Sequence, residues 1–491
     1  MRISLPAMRL PGFDRAVLRV AAVVLAGGLA CLPATAGAEG LGPQAPAHPW
    51  LGPAGTATMH GDAEASDTTP NPGPGIGAVR ARFVALGAAC PTILIGADGL
   101  PQALCTDIAT RAPVVYLLDP ASGDPLASLP LPAGSLLGGV YGYIDAAGDF
   151  VAATGGDAIT WIGHERDGDG RWRLLPRRTV SVAEAVTRPC GAPGCDALES
   201  LVPDRDGRIW FVTDHGRAGF VDPESGAVQS IPLGAGEGVA NSIAAAPEGV
   251  AVAGDHALYL LRADATGVPR IAWRRDYDRG PARKPGQLSW GTGATPTFFG
   301  PRTGSDYVTI TDNAVPEEHL LVFDAGTGRE VCSIPVLPGA SGTENSPIGA
   351  GNSVFVAGTY GYPYPAGTSG PSDPPSAGFR GGMTRVDIDP AGTGCSIAWT
   401  NPVASAAVPR LSTADGNIYT VARQAALPEG HTTPVDPFDY TVIDAATGTT
   451  RAHQRIGATL ATDTLQMVGS IARDGTQYQG TTTGLFRITK Q

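Results

Sequence analysis

One pattern limits the folds open to this chain more than any other: an aliphatic strand ending in Asp, two or three small or polar residues, a Gly, and a second strand. It reads Tyr116-Leu117-Leu118-Asp119 to Gly123, Phe220-Val221-Asp222 to Gly226, Leu260-Leu261-Arg262-Ala263-Asp264 to Gly267, Val322-Phe323-Asp324 to Gly328 and Val442-Ile443-Asp444 to Gly448, with a looser copy from Asp389 to Gly394. The Asp side chain accepts hydrogen bonds from backbone amides two residues on and Gly takes the positive φ, so each copy specifies a hairpin. Successive Asp residues lie 103, 42, 60, 65 and 55 apart, and the first interval holds a degenerate copy, Trp161 to Arg173, around Asp167-Gly168-Asp169-Gly170. Between the hairpins run short β-rich stretches, with no amphipathic helix of ordinary length. Such a chain is all-β, as a sandwich array, a large barrel or a propeller, and repeats at related spacing select the propeller.

Seven hairpins are visible, and an eighth unit starts near Asp463 and runs through Leu485-Phe486-Arg487-Ile488, where the chain is too short for a last outer strand. The run Ala78 to Leu86 has no partner of its own, so it is expected to supply that strand and close the ring, which removes both exposed sheet edges. The expectation is a single closed β-propeller over 78–491 with blades near 91–135, 136–182, 197–234, 239–277, 290–336, 344–400, 408–458, and 463–491 with 78–90. Seven blades follow instead if the degenerate second copy is not a blade, and two packed sandwiches are the alternative architecture. With aromatic residues at 6%, the core must be built from Val, Leu, Ile and Ala.

The ends of the chain set the compartment. Arg2, Arg9, Arg15 and Arg19 precede an apolar run of 13 residues, Val20 to Leu32, and then Ala34-Thr35-Ala36-Gly37-Ala38. That order is a secretory signal over 1–38 with cleavage near Ala38, and the run falls short of the roughly 20 residues of a permanent membrane span. Lipid attachment at Cys31 is the less favoured processing, because Gly28-Leu29-Ala30 lacks a large aliphatic residue three before the cysteine. Export makes the even set Cys90, Cys105, Cys190, Cys195, Cys332 and Cys395 read as disulfides. Closeness in sequence suggests Cys90 with Cys105 and Cys190 with Cys195, leaving Cys332 with Cys395. The net charge of -12 becomes more negative once the Arg-rich leader is gone, which disfavours nucleic acid and anionic membranes as partners.

The strings Phe-Asp-Ala-Gly-Thr-Gly-Arg-Glu at 323–330 and Ile-Asp-Ala-Ala-Thr-Gly-Thr-Thr at 443–450 resemble repeats of the quinoprotein-like propellers, which include quinone-dependent alcohol dehydrogenases. Repeats of that superfamily usually carry, after the Gly, a Trp that docks blade to blade; here Cys332, Ile231 and similar residues are expected in its place. The resemblance implies a propeller fold. The adjacent cysteine pair often found in quinone-binding members is missing, which counts against a quinone-dependent dehydrogenase. Residues 197–234 are similar to a repeat of streptogramin-lyase and lactonase-type propellers, a likeness that spans one blade and concerns the fold.

Inner strands line a propeller's channel, so the start of each blade is where chemistry is sought. These starts read Leu198-Glu199-Ser200, Ala240-Asn241-Ser242, Ala294-Thr295-Pro296 and Thr343-Glu344-Asn345-Ser346, with Arg410 and Asp463-Thr464-Leu465-Gln466 further on. Glu199, Asn241, Thr295, Glu344 and Asn345 are the candidate ligand-binding residues, and an oxygen-rich set of this kind suits Ca2+ or general acid and base work. The plain alternative is that they bond neighbouring backbone and trapped water. Residues 39–77, rich in Pro and Gly, form a linker or a cap. Within them His60, Asp62, Glu64 and Asp67 suit a metal or a proton shuttle, with His60 a candidate catalytic residue and Asp62 and Asp67 candidate metal ligands. Trp290, His215 and Asp312-Asn313 are weaker candidates for a ligand role. No Gly-x-Ser-x-Gly elbow, phosphate loop, dinucleotide fingerprint or His-Glu-x-x-His occurs. The expectation is an exported propeller that binds a small molecule on its axis, as a lyase or hydrolase. The alternative is a non-enzymatic scaffold that binds an extracellular protein or glycan through the rim loops 278–289 and 359–380.

Overall fold

The computed structural model describes residues 40–132, 140–188, 195–365 and 367–491. They form eight antiparallel sheets in a propeller arrangement. Seven blades occupy 88–130, 142–181, 198–232, 244–276, 297–335, 348–401 and 410–457, and the eighth joins 469–490 to Val79–Ala85. Val79–Ala85 pairs antiparallel with Gly484–Lys490, from Val79 opposite Lys490 to Ala85 opposite Gly484. Blade eight packs on blade one through Tyr478, Leu485, Ala88 and Ile93. Ala88 to Cys90, assigned from sequence to the last blade, instead begin the inner strand of blade one, Ala88–Ile95. The degenerate second copy is a full hairpin, with Trp172–Ser181 paired to Ala158–Arg166, which makes the count eight.

The turns form as their chemistry requires. Asp119, Asp222, Asp324 and Asp444 each accept amide hydrogen bonds two or three residues on, at 2.9, 2.8, 3.0 and 2.9 Å. Gly123, Gly226, Gly328 and Gly448 sit at φ between 67° and 82°. Aliphatic side chains fill the interfaces between blades, but the docking tryptophans read as missing are present in two of them. Trp273 donates from Nε1 to Ala325 O at 3.0 Å and Trp399 to Ala445 O at 3.1 Å, each landing on the next blade's Asp-Ala turn. They follow Gly267 and Gly394 by six and five residues. Other blades hide the pattern, with Ile231 after Gly226 and Cys332 after Gly328.

Residues 40–77 lie across the inner strands. Thr68–Thr69 adds to blade seven as a parallel strand beside Arg410–Ser412. Inner-strand amides then donate to this segment in turn: Ile95 to Thr56 O (3.1 Å), Ile144 to Ala57 O (2.8 Å), Ala245 to Ala63 O (2.6 Å), Phe298 to Glu64 O (2.9 Å), Gly349 to Ser66 O (3.0 Å) and Leu411 to Asp67 O (3.0 Å). Asn71 donates to Ile471 O in blade eight, and Arg205 of blade three donates to Pro46 O and Ala47 O. Every blade therefore touches this segment, and inner-edge backbone groups that would face an empty channel are bonded.

Cys90 and Cys105 are joined within blade one, and Cys332 and Cys395 join the outer strands of blades five and six. Cys190, expected to pair with Cys195, lies outside the described residues, as does the leader 1–38. Among the described residues no helix is long and apolar enough to cross a membrane. The Cys332–Cys395 bridge spans a sequence separation of 63. Replacing both residues by Ser should lower the free energy of unfolding by about 4 kcal/mol, the loop-entropy value for a closure of that length, as read from denaturant titration.

Candidate functional site on the propeller axis

A cavity of about 320 Å³ lies on the axis, with Met59 and His60 of the N-terminal segment in its lining. These two form its floor. His60 is 6% exposed. Its Nδ1 stands 3.0 Å from Asp67 Oδ2 and 3.0 Å from Ser346 Oγ, and its Nε2 stands 3.3 Å from Thr295 Oγ1. Arg410, fully buried, backs the floor: it donates from Nε to Gly469 O, from Nη2 to Met59 O, and sits 3.5 Å from Asp67. Burial draws the Arg410 pKa below its ordinary value, opposed by Asp67 and Asp62. Gly61 permits this approach, because a Cβ there would lie 2.6 Å from the Arg410 guanidinium and its φ is +93°.

The wall has two halves. Blades two to six contribute Tyr141, Glu199, Asn241, Ser289, Thr295 and Glu344, whereas blades seven, eight and one contribute mainly apolar groups, Val408, Met467, Val468, Ala89 and Pro91, with Gln466 and Thr106 among them. Glu199 faces inward because of a β-bulge. The register of Leu198–Pro203 against Ile209–Thr213 shifts between Leu198 and Ser200, so Glu199 has no partner opposite it. Glu199 is 5% exposed, and burial, then Asp214, pushes its carboxyl up to about 8. Glu344 accepts from the Ser289 hydroxyl at 3.1 Å and from the Leu288 and Ser289 amides, while its Oε2 is buried without a partner. Burial outweighs those bonds and holds it at about 8 too. The Tyr141 hydroxyl lies 3.5 Å from Asn241 Oδ1, and burial followed by both carboxyls raises its pKa.

The segment 359–380 covers the mouth with Tyr364, Pro365 and Thr368. Its anchor is Tyr362, 3% exposed, whose hydroxyl donates to Asp463. Arg423 holds Asp463 at 2.8 Å and Asp436 at 2.9 Å. Gly361 N donates to Pro285 O at 2.8 Å and Asp373 N to Arg283 O at 2.9 Å, so the two rim loops are tied together. Within the rim loop 359–380, expected to meet a partner, Tyr362 turns inward beside Phe379, at 5.1 Å between rings, and Tyr364 has a buried hydroxyl with no partner.

The structure thus brings Glu199, Asn241, Thr295, Glu344 and His60 to one cavity. Asn345 sits behind the wall, its amide donating to Gln466 Oε1 at 3.1 Å. Asp62 and Asp67 enter different networks. Asp67 faces His60 and Arg410, whereas Asp62 accepts from the Ser66 amide and hydroxyl and lines a separate cavity of about 100 Å³ with Glu64. Glu64 is raised to about 8 by burial and then by Asp62, with Arg205 at 3.6 Å. Asp463 and Arg410, read as axial, serve the lid anchor and the underside of the floor. His215 is on the rim beside Asp214, Asn313 bonds the carbonyls of Arg279 and Ala282, and Trp290 carries the Arg279 guanidinium 3.9 Å above its ring. Tyr141, Ser289 and Tyr364 were missed. Tyr141 was legible, since Val140-Tyr141 leads into blade two as Ala240-Asn241 leads into blade four; Ser289 and Tyr364 come from loops that carry no repeat signal.

Among the described residues, ligand atoms of three groups converge at Asp196, Asp214 and His215 and at Glu237, Asp255 and His256, with the acid 18 residues before Asp-His in both. In the second set Arg279 already lies 3.0 Å from Asp255 and 2.8 Å from His256 Nε2. Neither set includes the axial carboxyls.

No family model matches the chain. An uncharacterized protein of Archaeoglobus fulgidus is 37% identical over 113 residues, a span that covers 22% of each chain. The quinohemoprotein alcohol dehydrogenase of Comamonas testosteroni aligns over 90% of this chain and 80% of its own, with a TM-score of 0.51 and 12% identity. A europium-containing methanol dehydrogenase covers 88% of this chain and 98% of its own at 0.48 and 11%, and streptogramin B lyase covers 84% and 98% at 0.40 and 10%. The resemblance read from the turns is thus met at the level of the propeller fold.

Removing one partner of a buried ion pair leaves the other charge uncompensated. Arg410→Met should cost about 3–5 kcal/mol of unfolding free energy, while Asp67→Asn with Arg410→Met should cost clearly less than the two single changes added, measured as a double-mutant cycle in urea.

Proposed function

We propose that the protein is exported and binds a small molecule in the axial cavity, where Glu199 and Glu344 engage it as hydrogen-bonding acids and supply acid and base chemistry of the lyase or hydrolase kind. Export is supported by the leader pattern of charge, apolar run and small residues, and by two disulfides, which persist in oxidising compartments. Binding rests on one observation: two buried carboxyl groups face a cavity whose other half is mainly apolar. A cavity of about 320 Å³ is within the range of small-molecule sites. Two carboxyls that keep their protons near neutral pH can donate, and each gives up its proton near pH 8, the range in which general acids and bases work. Ca2+, which takes six to eight oxygen ligands, is served less well by this wall than an organic molecule with an apolar side.

Native mass spectrometry of the secreted protein should detect a retained small molecule. Glu199→Gln with Glu344→Gln should abolish its retention while leaving the melting temperature at pH 6 nearly unchanged, because Gln mimics the neutral acid. A large loss of stability with nothing ever retained would sink the reading. The same pair fixes a pH dependence. Both carboxyls have folded pKa values near 8, above the ordinary 4.5, so the folded state holds the extra protons between these limits. Stability should therefore fall as pH rises from about 4.5 to about 8. The double Gln variant should show a shallower fall over the same window in denaturant titrations, Glu64, Glu318 and Asp214 contributing to the remainder.

A further inference from the structure

The axial carboxyls form no ion pair. Among the described residues no Lys, Arg or His comes within ion-pair distance of Glu199 or Glu344, and the Glu199 carboxyl makes no hydrogen bond. The groups that face them from every side are accounted for. Asp214 acts on Glu199, and Tyr141 and Tyr364 stand beside the pair. Arg283 is the cation that acts on Glu344, but its guanidinium donates to the carbonyls of Gln287 and Gly370. Lys284 donates to Ala314 O at 2.7 Å and faces Glu318, which also acts on Glu344's surroundings. His60 is held by Asp67, and Arg410 serves Asp67 beneath the floor. Asp463, near Tyr364, is neutralised by Arg423.

Two acids without an ion-pair partner, two tyrosines beside them and a mainly apolar wall opposite define a ligand by complementarity. We propose that the axial cavity takes an organic cation, a small amine whose ammonium lies between Glu199 and Glu344 against Tyr141 and Tyr364 and whose apolar body rests on Val408, Met467 and Val468. This rests on the small-molecule reading above and gives it a chemical class. An ammonium offers several donors to the partnerless Oε2 of Glu344, to Glu199 and to the buried Tyr364 hydroxyl. Aromatic faces add cation–π attraction that grows when the site is desolvated. A bare metal ion fits less well, because neither carboxyl belongs to a cluster of three ligating groups among the described residues. On binding, each carboxyl that pairs with the ammonium releases its proton to solvent, so affinity is linked to pH.

Isothermal titration of the purified protein with benzylamine and with its neutral isostere benzyl alcohol, at pH 6, 7 and 8, tests this without any variant. A primary amine, with a pKa of about 10, stays protonated throughout. Benzylamine should bind at least about tenfold more tightly than the alcohol at pH 8, a difference of about one pKa-unit equivalent in linkage. Its affinity should climb with pH by up to about tenfold per unit for each carboxyl that ionises on binding, while that of the alcohol stays flat. Glu199→Gln should remove most of the preference and the slope. If the alcohol binds as well as the amine, or amine affinity does not rise with pH, the organic-cation inference is overturned and the small-molecule reading stands. If neither binds and native mass spectrometry finds nothing retained, both fall.

Discussion

An inner strand of a propeller blade is an edge strand, and its unpaired amides must find acceptors. In this protein the acceptors are the backbone carbonyls of Thr56, Ala57, Ala63, Glu64, Ser66 and Asp67, supplied by one segment that crosses the channel. The rest of the architecture depends on that bonding. It stops the channel, turns a pore into a cavity with a floor, and sets His60 and Met59 beneath whatever the cavity holds. Asp67 and Ala65 take left-handed φ values of 54° and 53° to do so, a cost that the surrounding bonds outweigh. The Arg410 guanidinium then pins Asp67 and Met59 from below, so the floor is held by charge as well as by backbone.

Above the floor, electrostatics separate the roles of similar groups. Glu199 and Glu344 lie in the lining and are raised by burial, which Arg283 offsets only in part at Glu344 and no cation offsets at Glu199. Asp463, equally interior, has Arg423 and the Tyr362 hydroxyl and is committed to holding the lid segment. The carboxyls that are paired build structure, and those left unpaired face the cavity. The same division explains the rim: Asp255 and His256 are engaged by Arg279, which in turn stacks on Trp290.

Much of the fold was legible because each hairpin is a local decision. Asp119, Asp222, Asp324 and Asp444 form their turns from bonds within a few residues, and the pattern repeats often enough to count blades. The pairing of Val79–Ala85 was legible for a related reason, since Gly484–Lys490 otherwise has no outer neighbour. Glu199, Asn241, Thr295 and Glu344 were found by their common position at blade starts. The cluster His60 to Asp67 was found as residue types but not as geometry: nothing local tells that Asp67 meets Arg410, 343 positions away, while Asp62 turns to Ser66 on the other side. Tyr364 was not legible because a Tyr- and Pro-rich loop looks alike whether it faces out or in.

Sequence by itself determined the repeat, the all-β class and the ring of polar residues at the blade starts, because these depend on short-range turn chemistry and on period, and it suggested the two disulfide pairings seen here without fixing them. Tertiary structure alone decided that the N-terminal segment floors the channel, that a bulge aims Glu199 at the axis and that Tyr362 ties the lid to Arg423 through Asp463. Those outcomes depend on which buried donors and charges meet across hundreds of residues, and burial, which sets both hydrogen-bond demand and carboxyl pKa, exists only once the ring is assembled.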